Sequence, residues 1–569
     1  MTADRVFKNG RFYTSNPLNP WCDTVAVKAK NIIFAGTERE CTSLIGGHTE
    51  VVDIKGKVVI PGIIDGHTHP ISVAKTFWRV RMPFTHDKNE LLGNIRTAAE
   101  KFTKEERPYL FCENYFAETF GSKGPNKELL DRIVSDRPVR IQDFTDHACW
   151  FNSIAVDMLK DENGDIRVES DAIQPEFIKD ENGEYTGWCL EPFDNIDKII
   201  CEKIGWQPPE NLTDEMIDPL MNYFMAHGVT CLMDALTENE QCAEYFLAKD
   251  KKGELGLFYD MTVIMNNTRD AEKAINTAFA WQKKYSSEHI RVNTIKFFVD
   301  GTNELGDCCS LIPFANDPEG KNCGAAYSSE EDLINAMVKI NNAGLDLHIH
   351  CICDGAFRMC CDAYEKAKEI VGDKNWRLYL TLAHCELIDP QDMHRVARLG
   401  IFIDWSTHWS GGYFGEIARE YLDDRWYTMY DFTTIIKEGG IVGYSSDVFT
   451  YQEAVRANPF IGMQTAMTRV DMFLPLNPEK YPGSVRPPAS ARLTLEQLLK
   501  GYTYNNAYRM RLLDKMGTIE AGKLANMVVL NKDIFKVAPE EIATVDAEFV
   551  IYEGKERTVK SNLKIERNM

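Results

Sequence analysis

A (β/α)8 barrel is the fold this chain predicts, and three observations carry the prediction. Eight short apolar runs recur along the sequence, helical patterns fall between most of them, and no Gly-rich phosphate loop follows any run. The first two are the mark of βα units whose strands are buried on both faces. The third ranks a doubly wound open sheet lower.

The opening run is VVIPGIIDGHTHP, residues 58–70, with a strand expected over about 57–65. Side chains alternate along a strand, so His67 and His69 project together from its end. Imidazole is the commonest metal ligand, and one strand thus offers two donors to one ion. The next runs are GVTCLMDA (228–235), LFYDMTVIM (257–265), NTIKFFVDG (293–301) and LDLHIHC (345–351). LYLTLAHC (378–385), GIFIDWS (400–406) and IVGYSSD (441–447) complete the eight. EEDLINAMVKINNAG and DAYEKAKEIVG carry the spacing of the helical returns.

Two further strand-like runs, RPVRIQDF (137–144) and FCENYFAETF, exceed the count. Both fall in a stretch of 72–222, too long for a crossover between the first two barrel strands, so a cap subdomain is expected there. The chain ends also read as β structure: ADRVFKNGRFYT, with a hairpin signal at Asn9-Gly10, and AEFVIYEGK with a Gly turn. One small sheet built from residues 1–56 and 512–569 is expected beside a barrel of 57–71 and 223–511.

The 569 residues are 44% hydrophobic and carry a net charge of −22, which argues against nucleic acid and anionic membrane surfaces as partners. No apolar run reaches the roughly eighteen residues of a membrane span, and MTADRVFKNGRFYT lacks a secretion signal. Sixteen cysteines lie scattered through apolar runs, so they are expected to be reduced in a cytoplasmic protein.

Polar residues at the carboxyl ends of barrel strands are the informative ones. Five of twelve histidines fall in or just after these strands: His67, His69, His348, His350 and His384. His350 is favoured over His348 as a ligand. Lys296 interrupts the apolar run IKFFV, where an unpaired ammonium is costly. It needs an acid such as Asp300, or loss of its charge as a carbamate bridging two metals. Asp447 ends the eighth strand. Past the seventh, Trp405, His408 and Trp409 are expected to wall the pocket and to favour an apolar or aromatic substituent. A divalent ion lowers the pKa of bound water from about 15.7 to about 7, worth about 12 kcal/mol. A general base adds about 3 to 5 kcal/mol. For an amide the ion is the larger contribution, with Asp447 moving the proton from water to the departing nitrogen.

These pieces resemble the amidohydrolase superfamily, and within it the YtcJ-like metal-dependent hydrolases (amidohydrolase family 3). The similarity runs through PGIIDGHTHP, HACWFNSIAV (147–156), GEYTGWCLEP (183–192), IKFFVDGT, HIHCICDGA, LAHCEL and GYSSD to GTIEAGKLANMVVL (517–530). Cys353 stands where the usual HxxGD pattern has Gly, and Asn526 where GKxAD has Asp. The resemblance implies a distorted TIM barrel, a flanking β-sandwich from both termini, and a site of one or two ions. It implies His67, His69, His350 and His384 as ligands, Asp447 as ligand and acid/base, and His384 beside it in catalysis. Lys296 falls where relatives carry a carboxylated lysine, with Glu191 as its rival for the bridge. His147, Trp150 and Asn152 resemble substrate-side residues of the family, and a homodimer is expected from it.

The expected protein is a metal-dependent hydrolase of a small-molecule amide, N-acyl, formamide or cyclic amide, holding zinc, with manganese or iron as alternatives. The rivals are the same site acting on an ester, lactone or phosphoester or in a non-hydrolytic reaction, and a silent barrel that only binds. A cysteine hydrolase built on Cys385 is a third; no GxSxG elbow occurs.

Overall fold

The computed structural model describes residues 2–168, 174–192, 196–208, 211–561 and 563. The eight expected runs form one eight-stranded parallel sheet. In chain order its strands are Ile63–Thr68, Val229–Asp234, Phe258–Ile264, Ile290–Phe298, Asp346–Cys351, Leu380–His384, Phe402–Ser406 and Ile441–Ser445. Each pairs in parallel with the next. Most are buried on both faces, which is why they read as continuous apolar runs. The helical returns follow from local chemistry. Glu330–Ala343 starts where the Ser329 side chain accepts from the Asp332 N–H and stops at Gly344, whose φ of 73° suits glycine. Leu333, Ala336, Met337 and Ile340 form its buried stripe.

The barrel is nearly closed. Among the described residues no ladder joins the first and eighth strands, and side chains bridge the seam instead. The Asn506 amide donates to the carbonyls of Ile64 and Tyr444, both at 2.7 Å. The Arg509 guanidinium donates to the Gly66 carbonyl at 2.7 Å and to Asp404. Both come from a π-helical turn, Gly501–Asn505, running into the helix Asn506–Arg509. A Cβ on Gly443 would stand 2.0 Å from Asn506 Oδ1, and one on Gly66 would stand 1.9 Å from Arg509 Nη2. Gly66→Ala is therefore expected to destabilise the fold by about 3 kcal/mol, through overpacking and loss of a buried ion pair. Urea unfolding of the variant checks this.

The opening run divides differently from the expected single strand. Val58–Pro61 pairs with Arg11–Tyr13 and Met527–Leu530 in a sheet of the chain ends, and the barrel strand begins only at Ile63. Gly62 makes the break, with room for no Cβ because Thr230 Oγ1 would lie 2.2 Å away. Alternation lets the run serve two cores, Val59 facing the terminal sheets and Val58 and Ile60 the barrel. The chain ends form two sheets, of four and six strands, instead of the one read from their residues. Phe7, Val25 and Val27 from one meet Phe12, Val59, Met527 and Ile551 from the other in a shared core. Asn9-Gly10 is not a hairpin, since Arg5–Lys8 pairs with Thr24–Lys28 and Glu50–Asp53 while Arg11–Tyr13 joins the other sheet. Longer partners outcompete the local turn. At the other end Glu553 and Gly554, at φ 51° and 75°, do turn a hairpin.

Between the first two barrel strands lies a six-stranded sheet, from Val80–Arg81 to Tyr185–Leu190. The two surplus runs are its neighbours Leu110–Tyr115 and Val139–Asp143. The expected limit at 222 cuts a helix, Asp214–Ala226, whose Met216, Ile217 and Leu220 pack in the barrel's core. The barrel thus resumes before it. Residues 1, 169–173, 193–195, 209–210, 562 and 564–569 of the expected segments lie outside the described residues. Among the described residues no helix is long and apolar enough to cross a membrane.

Candidate metal centre

His67 lies in the first strand, and His69 follows it directly as the N-cap of the helix Pro70–Lys75. Their Nε2 atoms come within 3.2 Å. Asp447, just past the eighth strand, meets both: its Oδ1 is 3.4 Å from His67 Nε2 and 3.2 Å from His69 Nε2. Its Oδ2 is 3.4 Å from Nδ1 of His384, at the end of the sixth strand. The Asp447 N–H donates to the His67 carbonyl at 2.9 Å, so the seam of the barrel places the acid. His384 and Asp447 hold φ of 75° and 47°, left-handed values that bulky side chains disfavour. Such strain concentrates at functional sites.

Lys296, in the fourth strand, puts Nζ 3.3 Å from His67 Nε2 and 4.8 Å from the Phe298 ring. Burial pushes its ammonium well down and the Asp447 carboxyl well up; each opposes the other's shift. Burial also holds His67, His69, His350 and His384 well below the usual imidazole range. They are neutral and carry lone pairs. His350 stands further out, its ring 4.6 Å from that of His384 and its Nε2 3.2 Å from the Gly301 carbonyl.

The residues present fit a divalent cation. Ligand atoms of His67, His384 and Asp447 all lie within 4.8 Å of one another. The buried Nδ1 of His384 has no hydrogen-bond partner. Nitrogen lone pairs and carboxylate oxygens crowded in a dry pocket repel one another unless a cation lies among them.

The remaining expected residues are distributed differently. Glu191 stands behind His147, with Oε1 2.9 Å from His147 Nδ1, and makes no hydrogen bond or ion pair to His67, His69 or Lys296 among the described residues. Glu191, expected as a rival bridging ligand, thus stands apart from His67 and His69, while Lys296 reaches His67. His147 lines the central cavity, with its ring 5.5 Å from His350. Trp150 and Asn152 do not face the substrate side. Trp150 is in the core of the inserted sheet, and Asn152 caps the helix Ser153–Leu159 while holding the backbone at Val139 and Arg137. Trp405 is not a pocket wall either, because it stacks on Phe432 at 4.0 Å inside the barrel's core. His408 is fully buried against Tyr413. The neighbour Trp409 takes the wall, stacked 5.0 Å from His384. Asp300 pairs with backbone N–H groups of Ile352 and Cys353 instead of with Lys296.

Three supporting residues had weak signals or none. His348 Nε2 lies 2.9 Å from His67 Nδ1, so the histidine not favoured as a ligand orients one that is. Asp404, 4.0 Å from the same Nδ1, was readable as an acid inside the apolar run IFIDWS. Arg509, its partner across the seam, gave no local sign.

The cavity over this cluster measures about 510 Å³. A parallel barrel with a histidine–aspartate cluster at the carboxyl ends of its strands has the architecture of a metal-dependent hydrolase. The chain belongs to the amidohydrolase family, whose model matches residues 50–557. It is 24% identical to the N-substituted formamide deformylase of Arthrobacter pascens, over 95% of this chain and 95% of that one. It is 23% identical to the putative amidohydrolase YtcJ of Bacillus subtilis, over 97% and 98%. Its fold matches an uncharacterised metal-dependent hydrolase from Pyrococcus horikoshii at a TM-score of 0.65 and 20% identity, covering 94% of this chain and 99% of that one.

Proposed function

We propose that this protein hydrolyses a non-peptide carbon–nitrogen bond of a small-molecule amide, with a divalent cation held by His67, His69, His384 and Asp447 and supported by His350. The observation that carries this is the meeting of His67, His69 and His384 nitrogens with the Asp447 carboxylate on the cavity floor. A bound cation of this kind polarises a carbonyl and acidifies water. Asp447 is the proton carrier: as a carboxylate it takes the proton of the attacking water and delivers it to the leaving nitrogen. His348 and Asp404 fix the ring of His67 from behind. The inserted sheet acts as a cap, contributing His147 to the cavity, and the two terminal sheets form a flanking sandwich. The formamide deformylase among the relatives supports an N-acyl or formamide substrate.

Lys296, with its ammonium destabilised by burial, would as the neutral amine add carbon dioxide, release one proton and offer the resulting carbamate to a second ion. Elemental analysis of the purified protein, beside a panel of matched amides, lactones and esters, tests the reading. Zinc, manganese or iron with amide turnover is the expected result; turnover of esters alone, or no metal, would overturn it. Lys296→Gln cannot form a carbamate and is expected to bind one ion where the parent binds two. Equal metal content in both proteins removes the bridge.

A further inference from the structure

We propose that the cavity contains a subsite for a protonated amine, to which Glu304 brings the charge and Phe144, Trp409 and Phe414 of the same cavity wall bring ring faces. The substrate is then an amide that also carries an alkyl- or arylammonium group. The word substrate rests on the hydrolase reading above; the subsite does not.

Glu304 follows the fourth barrel strand, is 3% exposed and lines the cavity. Among the described residues no side chain donates a hydrogen bond to it. The other acids on the wall are Asp146, which is half-buried and feels the Arg79 guanidinium, and four that are mostly matched. Glu238 pairs with Lys75, and Glu453 takes the Tyr413 hydroxyl and the N–H groups of Phe449 and Thr450. Asp447 belongs to the metal cluster. Glu386 accepts from the Asn303 amide at 2.9 Å.

The Arg486 guanidinium acts on both Glu304 and Glu386. It lies 4.6 Å over the rings of Trp426 and Tyr430 and hydrogen-bonds Met429 Sδ at 3.4 Å, touching neither carboxylate. Burial pushes the Glu304 carboxyl well up, and the distant guanidinium offsets this only in part. A buried carboxylate without a side-chain donor is unstable alone and gains most from a cation brought by a ligand. The wall supplies the second half of such a site. Trp409 lies 5.1 Å from Phe414, and Phe414 lies 5.7 Å from Phe144, a continuous aromatic surface starting at His384. Ammonium groups are attracted to ring faces, and anions are not. Among the described residues Lys296 is the only lysine or arginine on the cavity wall, and it contacts His67 of the metal cluster. A substrate carboxylate would find repulsion at this end of the cavity.

The test is binding of benzylammonium and of neutral benzyl alcohol to the metal-loaded protein, by titration calorimetry. Benzylammonium is expected to bind about ten-fold more tightly than benzyl alcohol. Glu304→Gln should erase most of that preference, and Glu304→Asp, which keeps the charge, should retain it. Both variants are first checked for the parent's circular dichroism. Absence of the preference in the parent overturns the subsite without any variant, and so does a preference that survives in folded Glu304→Gln. Because binding is read without turnover, either result in a protein that hydrolyses amides removes the subsite alone. The expected binding pattern in a protein inert towards amides removes only the hydrolase reading.

Discussion

Asp447→Asn is expected to lower kcat by about 10³-fold, within the range a positioned general base supplies. The substitution is isosteric, and the amide oxygen still faces the imidazoles of His67, His69 and His384, so the fold is retained. What it loses is the capacity to accept a proton from water and pass it on. Asp447 is also within 3.4 Å of three ring nitrogens, so metal affinity falls too. Turnover is therefore measured at saturating metal, where occupancy is restored and the proton-transfer defect remains. A variant that keeps parental kcat when fully loaded removes Asp447 from the chemistry and leaves it only a ligand.

Removing the cation should be the larger effect. Dialysis against a chelator is expected to abolish turnover, by about 10⁴-fold or more, since the ion provides most of the activation an amide needs. Adding back zinc, manganese or iron should restore it. A second readout is independent of activity: the native state binds the ion and the unfolded chain does so poorly. At a free ion concentration about a thousand times Kd, binding adds about 4 kcal/mol of stability. Chelation should accordingly lower Tm. The ring nitrogens of His67 and His69 stand 3.2 Å apart in a buried site, where a cation offsets the cost of crowding them. Full turnover and unchanged Tm in metal-free protein would end the proposal.

The seam of the barrel links these two effects to the architecture. Asp447 reaches the histidines because its N–H is hydrogen-bonded to the His67 carbonyl, while the His69 N–H donates to the Val448 carbonyl at 3.1 Å. Asn506 holds the same two strands together below, and Arg509 ties the first strand to the seventh. The open edge of the sheet is thus where the acid and two of the imidazoles are mounted.

The sequence alone determined the elements and most of the chemical groups. Eight apolar runs were enough for eight parallel strands, because strands buried on both faces must be apolar throughout. The His67-Thr68-His69 step, the lysine inside IKFFV, the histidine of LAHCE and the acid ending GYSSD stood out against those runs. A charged or metal-binding side chain in a buried strand is visible locally because its burial carries a local cost.

Only the tertiary structure decided which neighbour faces the cavity. Trp405 and Trp409 are four residues apart and equally aromatic, yet one packs on Phe432 and the other on His384. His348 and His350 share a strand face, but one orients His67 and the other stands at the outer side of the cluster. Glu191 reaches His147, and Lys296 reaches His67, through contacts between segments far apart in the chain. Apolar periodicity records that a residue is buried, and the barrel's strand tilt and loop paths determine what it is buried against. That is why the strands were legible from the residues while the pocket wall, the seam and the division of the opening run at Gly62 were not.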